Sequence, residues 1–391
     1  MKRPLRLLAA LLATLPAASP AFADWLNFRG ADGTAPAGPG PGAAIKWKAP
    51  LPGRGLGSPI IVGDRVFVSG SDGPQQRRLH VSCFSTTTGE KLWERVLQAT
   101  GRTMCHEKTA VAAPTMASDG QRVFALYSSN DLFAFDLDGN LLWLRGLTLD
   151  YPNASNSLGM AASPIVVGGV LVVPSENDSE SFTAGIDVRT GRNLWKLDRP
   201  KLANWTSPVA FQGAALLQSG KGLTAVDPAT GSILWNYTDG ASTIPSSAVG
   251  GESIFVPSHG LTSLKPKSGQ PEPEQQWRVE QINPGTASPI VLGGRVYAIN
   301  NAGILNQADP ATGERGFRLR LEGPFSGSPV GAGTFLYVIN EKGRLQIVDT
   351  TPEDGSIAKT IDLGETVLCT PSLSDGALFV RSDSTLWRID G

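Results

Sequence analysis

Past residue 44 the chain is a succession of short, nearly continuous apolar runs broken by turns rich in Gly, Asn and Asp. Runs of this length with β-branched residues read as strands, and unbroken hydrophobicity suits a sheet covered on both faces. The clearest stretch opens at Ser163-Pro164. Ile165–Val167 is one strand, Gly168-Gly169 the turn, residues 170–173 the return, and Phe182–Asp187 a third strand. Thr190-Gly191 then turns the chain into a fourth strand holding Leu194-Trp195. A two-residue hairpin loop needs positive φ, which Gly adopts most readily. Gly63-Asp64, Gly168-Gly169, Gly250-Gly251 and Gly293-Gly294 meet that need.

The same phrase recurs along the chain. It opens at Ser58-Pro59, Ala113-Pro114, Ser163-Pro164, Ser207-Pro208, Ser288-Pro289, Ser328-Pro329 and Thr370-Pro371, with a degenerate copy at Pro245-Ser246. The interval, roughly 40–50 residues, is that of a four-stranded propeller blade. A tryptophan column accompanies it. Trp93, Trp143, Trp195 and Trp235 each follow a Gly at one fixed spacing. Trp277 comes after a Pro/Glu insertion, Phe317 stands in for Trp, and the seventh copy has no aromatic there. These rings read as inter-blade packing, since large aromatics dominate core burial. The eighth copy ends after three strands, while Ile45-Lys46-Trp47 has the character of a fourth strand with nothing before it. Joining the two removes open sheet edges and adds Trp47 to the column. The expected fold is all-β: an eight-bladed β-propeller of four-stranded antiparallel blades over residues 45–391. Its last blade is closed by an N-terminal strand, and an extended segment, 24–44, precedes it.

Residues 1–23 read as an export signal. Lys2, Arg3 and Arg6 precede the apolar stretch 7–15, and Ala21-Phe22-Ala23 is a cleavage site placing the mature start near Asp24. The apolar stretch is too short to span a bilayer, and no cysteine for a lipid anchor lies near the cleavage site. A periplasmic or secreted location follows. The formal charge of −1 becomes more negative without the three leader cations. That weakly acidic balance gives no reason to expect nucleic acid as a partner. The three cysteines, Cys83, Cys105 and Cys369, form no CxxC and no metal spacing.

The phrases Ala184-x-x-Asp187-x-x-Thr190-Gly191-x-x-x-Trp195, Ala225-x-Asp227-x-x-Thr230-Gly231-x-x-x-Trp235 and Asp309-x-x-Thr312-Gly313 resemble the pyrroloquinoline-quinone-repeat propellers. That resemblance implies the fold, but its members include both quinoprotein alcohol dehydrogenases and the non-enzymatic propeller BamB of outer-membrane assembly. The dehydrogenases stack their quinone under a ring of two adjacent cysteines and hold Ca²⁺ with Glu and Asn. This chain has no Cys-Cys pair. The resemblance to BamB therefore fits better. It implies no catalytic residues, no metal and no expected cofactor, with pyrroloquinoline quinone and Ca²⁺ as the alternative. It also implies a protein partner in the cell envelope and a monomer.

Strand order places the Gly-Gly and Thr-Gly turns on one face. The second-to-third strand turns and blade-to-blade connections fall on the other. Long polar loops on a rigid scaffold are where binding concentrates. The candidate partner- or ligand-binding residues on that face are His106, Glu107, Lys108, Asn130, Asn153, Asn156, Glu176, Asn177, Asp178, Asn204, Trp205, His259, Asn300 and Asn340. Carbohydrate or another small ligand is a third alternative for the same face.

Overall fold

The structure is a computed structural model, and it describes residues 23–154 and 158–391. The expected signal segment, apart from Ala23, and candidate Asn156 lie outside the described residues. Eight sheets follow one another in the chain. Blade 1 comprises Ile60–Val62, Arg65–Asp72, Arg78–Ser85 and Lys91–Gln98. Blades 2 to 7 span residues 117–146, 165–198, 209–237, 248–279, 290–320 and 330–362. Blade 8 joins Ser372–Ser374, Ala377–Arg381 and Thr385–Asp390 to Ala44–Pro50. Each blade is an antiparallel meander, and the first strands of neighbouring blades meet around an axis.

The N-terminal strand closes blade 8 as the sequence anticipates. Ala44 opposes Asp390 and Pro50 opposes Thr385, with a bulge between Ile45 and Trp47. The tryptophan column is an inter-blade joint with two parts. The indole Nε1–H donates to a carbonyl in the outer turn of the next blade: Trp47 to Thr86 (2.9 Å), Trp93 to Leu137 (2.9 Å), Trp143 to Val188 (3.1 Å) and Trp195 to Pro228 (2.8 Å). The ring lies over that turn's glycine. A Cβ on Gly191 would stand 2.8 Å from the Trp143 ring, and Gly191 has φ +71. Phe317 does the same over Gly355. Trp235 is the departure: nothing lies within 4 Å of a Cβ on Gly269. There the Pro/Glu insertion lies against the outer strand of blade 4, and Pro271 O takes the Asn236 N–H at 3.0 Å.

The segment before the closing strand does more than lead into it. Trp25 pairs with Ile61 of blade 1, and Leu26 O accepts from Ser118 N of blade 2. Arg29 reaches carbonyls of Ser247 and Pro289, at the entries to blades 5 and 6. Thr34–Ala35 then adds a short parallel strand to the first strand of blade 7 and also touches that of blade 8. Residues 24–40 thus form a strap across the axis, entering from the face of the hairpin turns. Trp25 is buried in the core cluster at the junction of blades 7, 8 and 1.

All three cysteines are free thiols. Cys83 and Cys369 are buried, and burial pushes their pKa up to about 12 and about 11. They behave as small apolar fillers.

Candidate functional site

Two residues before each first strand stands a Ser or Thr. Together they make a ring about the axis. The backbone N–H of Ser58 donates to Thr115 Oγ1 at 2.9 Å, Thr115 N–H to Ser163 Oγ at 3.0 Å, and Ser163 N–H to Ser207 Oγ at 2.9 Å. Ser207 continues to Ser246 (2.9 Å), Ser246 to Ser288 (3.0 Å), Ser288 to Ser328 (2.9 Å) and Ser328 to Thr370 (2.9 Å). The link from Thr370 back to Ser58 is missing, and Ser58 Oγ is buried without a hydrogen-bond partner. This ring also corrects the sequence alignment of the second repeat. Its equivalent of the opening serine is Thr115, not Ala113, because in blades 2 and 5 the proline precedes the hydroxyl residue instead of following it.

The hydroxyl ring is the lower tier of a funnel of about 240 Å³. Two residues upstream in every blade stands the upper tier: Leu56, Ala113, Ala161, Trp205, Ile244, Thr286, Ser326 and Leu368. Phe28 of the strap lies at the floor. No Asp, Glu, Lys, Arg or His lines the funnel. Behind the floor, the Arg29 guanidinium is fully buried. Burial lowers its pKa to about 10, with Asp32 opposing. At the rim, Glu341 accepts from Ser326 Oγ (2.8 Å) and pairs with Lys108 Nζ (2.8 Å), so blades 2 and 7 are tied across the mouth.

The structure divides the polar-face candidates into two groups. Glu176, Asn177, Asn204, Asn130 and Asn340 are buried framework groups. Glu176 Oε1 takes Arg199 Nε at 2.7 Å and Thr183 Oγ1 at 3.1 Å, and its Oε2 takes Asn204 Nδ2 at 3.0 Å. Arg199 goes on to Leu217 O at 3.0 Å, fixing blade 3 to blade 4. Asn177 holds its own loop through Ser175 O and Glu180 O. Asn130 sits at φ 63 and donates to Ala154 O at 2.7 Å. Asn340 donates to Glu322 O at 2.9 Å. Three of the roughly four lone-pair sites of this buried carboxylate are taken by protein donors, which makes Glu176 a framework group.

The second group faces solvent or the funnel. Trp205 is half-buried at the funnel mouth, its Nε1–H donating to Gly159 O at 2.9 Å. His106, Glu107, Lys108, Asn153 and Asp178 are exposed. His106 Nδ1 accepts from Lys108 N–H at 3.1 Å. His259 is exposed beside Asp239, with Nε2 at 3.0 Å from its carbonyl. Asn300 uses Oδ1 to cap its own turn. Among the described residues no three His, Cys, Asp or Glu side chains form a group able to hold a metal ion. Among the described residues no helix is long and apolar enough to cross a membrane.

The rim of the ring carries a further asymmetry. In blades 1 to 4 the residue before the column tryptophan is an exposed leucine: Leu92 (46%), Leu142 (46%), Leu194 (51%) and Leu234 (48%). In blades 5, 6, 7 and 8 the equivalent residues are Gln276, Gly316, Ala358 and Lys46. Each leucine stands on the outermost strand of its blade, and in blade 4 that strand's edge is partly covered by Pro271, whose carbonyl takes the Asn236 N–H.

Eight antiparallel blades, an indole-on-glycine joint and a closing N-terminal strand define a quinone-repeat-type β-propeller. A family described as outer membrane protein assembly factor BamB matches the chain in overlapping segments, residues 39–198, 153–243, 216–360 and 302–391. The chain belongs to that family of pyrroloquinoline-quinone-like repeat propellers. Among solved structures it is similar to BamB from Moraxella catarrhalis, with TM-score 0.66 and 15% identity over 89% of this chain and 98% of that one. It is also similar to quinohemoprotein alcohol dehydrogenase from Comamonas testosteroni, with TM-score 0.68 and 13% identity over 89% and 76%. A europium-containing methanol dehydrogenase gives TM-score 0.70 and 11% identity over 94% and 98%. At these identities the likeness is one of fold. A search of curated proteins finds no match.

Proposed function

We propose that this protein is a non-catalytic scaffold of the cell envelope that docks another protein on the outer strands of blades 1 to 4, in the manner of an outer-membrane assembly factor. The observation that carries the reading is the column Leu92, Leu142, Leu194 and Leu234. Isolated surface leucines are ordinary, but four at one structural position in consecutive blades place an apolar residue on each outermost strand from blade 1 to blade 4. Packing within the ring does not require them, since blades 5 to 8 close without them.

The cofactor chemistry of the dehydrogenases does not fit the residues here. An anionic quinone with a divalent cation needs carboxylate ligands and cationic counter-charges, and the funnel lining offers neutral hydroxyls and apolar walls. The expected export, envelope location and protein partner belong to this same reading, supported by the family match.

Photo-crosslinkers placed at Leu142 and Leu194, with a control at Lys359 on blade 7, test it in envelope-expressed protein. One defined adduct from the leucine sites, lost when Leu92 and Leu234 become Glu, is the expected result. Equal adducts from Lys359, or none from either leucine, would overturn it.

A further inference from the structure

We infer that the axial funnel is a binding site for one small uncharged polyhydroxyl molecule of about pyranose size. The inference is independent of protein docking at the rim.

Three features converge on that ligand class. First, the ring is built from hydroxyls whose bonding is half used. Ser163, Ser207, Ser246, Ser288 and their equivalents each accept a backbone N–H, and none donates to a protein atom. Each therefore retains a proton to give and a lone pair to share. Ser58 Oγ, in the same ring and 2% exposed as a residue, has no partner at all. A sugar hydroxyl both donates and accepts, which is the complement such a ring requires. An oxyanion only accepts.

Second, the funnel has an aromatic floor and an aromatic wall. Phe28 lies at the floor within the circle of hydroxyls, and Trp205 stands at the mouth. A pyranose placed on an apolar floor directs its hydroxyls outward toward such a circle. About 240 Å³ is below the ~300–1,000 Å³ typical of drug-sized ligands, which sets the scale at a single ring.

Third, the charges nearest the funnel are already engaged by protein groups, Glu341 also accepting from Ser326 Oγ. Lys108 and Glu341 pair with each other above it. Arg29, behind the floor, directs its two terminal nitrogens at Ser247 O and Pro289 O and is not part of the lining. Desolvating an anion against neutral hydroxyls alone is unfavourable. The funnel thus discriminates by charge as well as by size.

The test is titration of the full mature chain, followed by protein NMR shifts, with D-glucose, D-galactose and N-acetyl-D-glucosamine. D-glucuronate and inorganic phosphate serve as charged probes. At least one neutral sugar is expected to saturate one site, with glucuronate and phosphate at least tenfold weaker. Ala161→Trp fills the mouth without touching any ring hydrogen bond. It should weaken binding at least tenfold while leaving the ligand-free Tm unchanged. Phe28→Ala should weaken binding as well. The inference is overturned if no neutral sugar saturates by 50 mM, if glucuronate or phosphate binds as well as the neutral probes, or if Ala161→Trp binds sugar like the parent.

Discussion

Two kinds of joint hold this ring together. Between blades 1 and 8, going upward in number, the chain runs on from each fourth strand into the next blade. The hydroxyl ring is closed at each of those steps, from Ser58 N–H donating to Thr115 through Ser328 N–H donating to Thr370. At the remaining joint, from blade 8 back to blade 1, the hydroxyl link is open and three buried polar atoms lack partners: Ser58 Oγ, Ser69 Oγ and Arg381 Nη2. The Arg381 guanidinium is fully buried without a carboxylate, bonding Ser69 O and Ser382 O, and burial lowers its pKa to about 10. What secures this joint is the N-terminal segment, through Trp25, the strand 44–50 and Trp47. Closure here keeps the tryptophan joint of the other blades but replaces the hydroxyl link with a noncovalent strand and a strap.

The largest effect should come from removing that segment. Deleting residues 24–48 strips most of the closing strand, the buried Trp25 and the Trp47 joint. The loss must exceed the ~3–5 kcal/mol of a single large aromatic truncation. Calorimetry should show a Tm lower by more than ~10 °C, or no cooperative transition. An unchanged Tm would break the comparison outright. Next, Trp47→Ala and Trp143→Ala should each cost ~3–5 kcal/mol. Only Trp47→Ala should also release amide protection across residues 44–50, because that strand is held to blade 8 without a connecting turn, whereas the Trp143 strand follows by a tight turn from the strand it pairs with.

The ring hydroxyls sharpen the contrast on a finer scale. Ser246→Ala leaves the buried Ser207 N–H without an acceptor and should cost ~1–3 kcal/mol. Ser58→Ala removes an oxygen that bonds nothing and should cost close to nothing in urea titrations. Equal losses would mean the open link is closed in solution. Arg381→Met replaces an unpaired buried cation with an apolar chain of similar length. The expected Tm is equal or higher, since burying a charge without a partner is costly.

Acid supplies the smallest and most general test. Hydrogen bonds from Arg78 and then His80 hold Asp72 below the ordinary carboxylate range. The N–H groups of Ala311 and Thr312 do the same for Asp309. A carboxyl with a depressed folded pKa stabilises the fold above its unfolded value near ~4 and stops doing so as pH falls through the folded one. Stability should therefore be level above about pH 5 and fall progressively below ~4. Asp309→Asn should shallow that fall.

The blades were legible because each carries its own turn chemistry, and repetition multiplies a weak local signal. Closure was legible because an orphan strand at one end matched a missing one at the other. The hydroxyl ring was only half legible. The Ser-Pro dipeptide stands out, yet the feature that matters is the hydroxyl. Aligning on proline misplaced the second blade by two residues. Reading for a Ser or Thr at every blade entry would have found Thr115. The polar face misled for a different reason. Glu176 and Asn204 look like loop residues, but each is buried by a neighbouring blade that no local pattern announces. The strap was not legible at all. Trp25, Phe28 and Arg29 show no periodicity, and their partners lie up to 260 residues away.

In the funnel a quinone-repeat fold presents a neutral lining. Titration of residues 24–391 with pyrroloquinoline quinone and Ca²⁺, read by absorbance and by dye reduction with alcohols and sugars, addresses that directly. No saturable binding at micromolar quinone and no dye reduction is the predicted result. Stoichiometric quinone uptake with turnover would contradict both the scaffold reading and the neutral funnel.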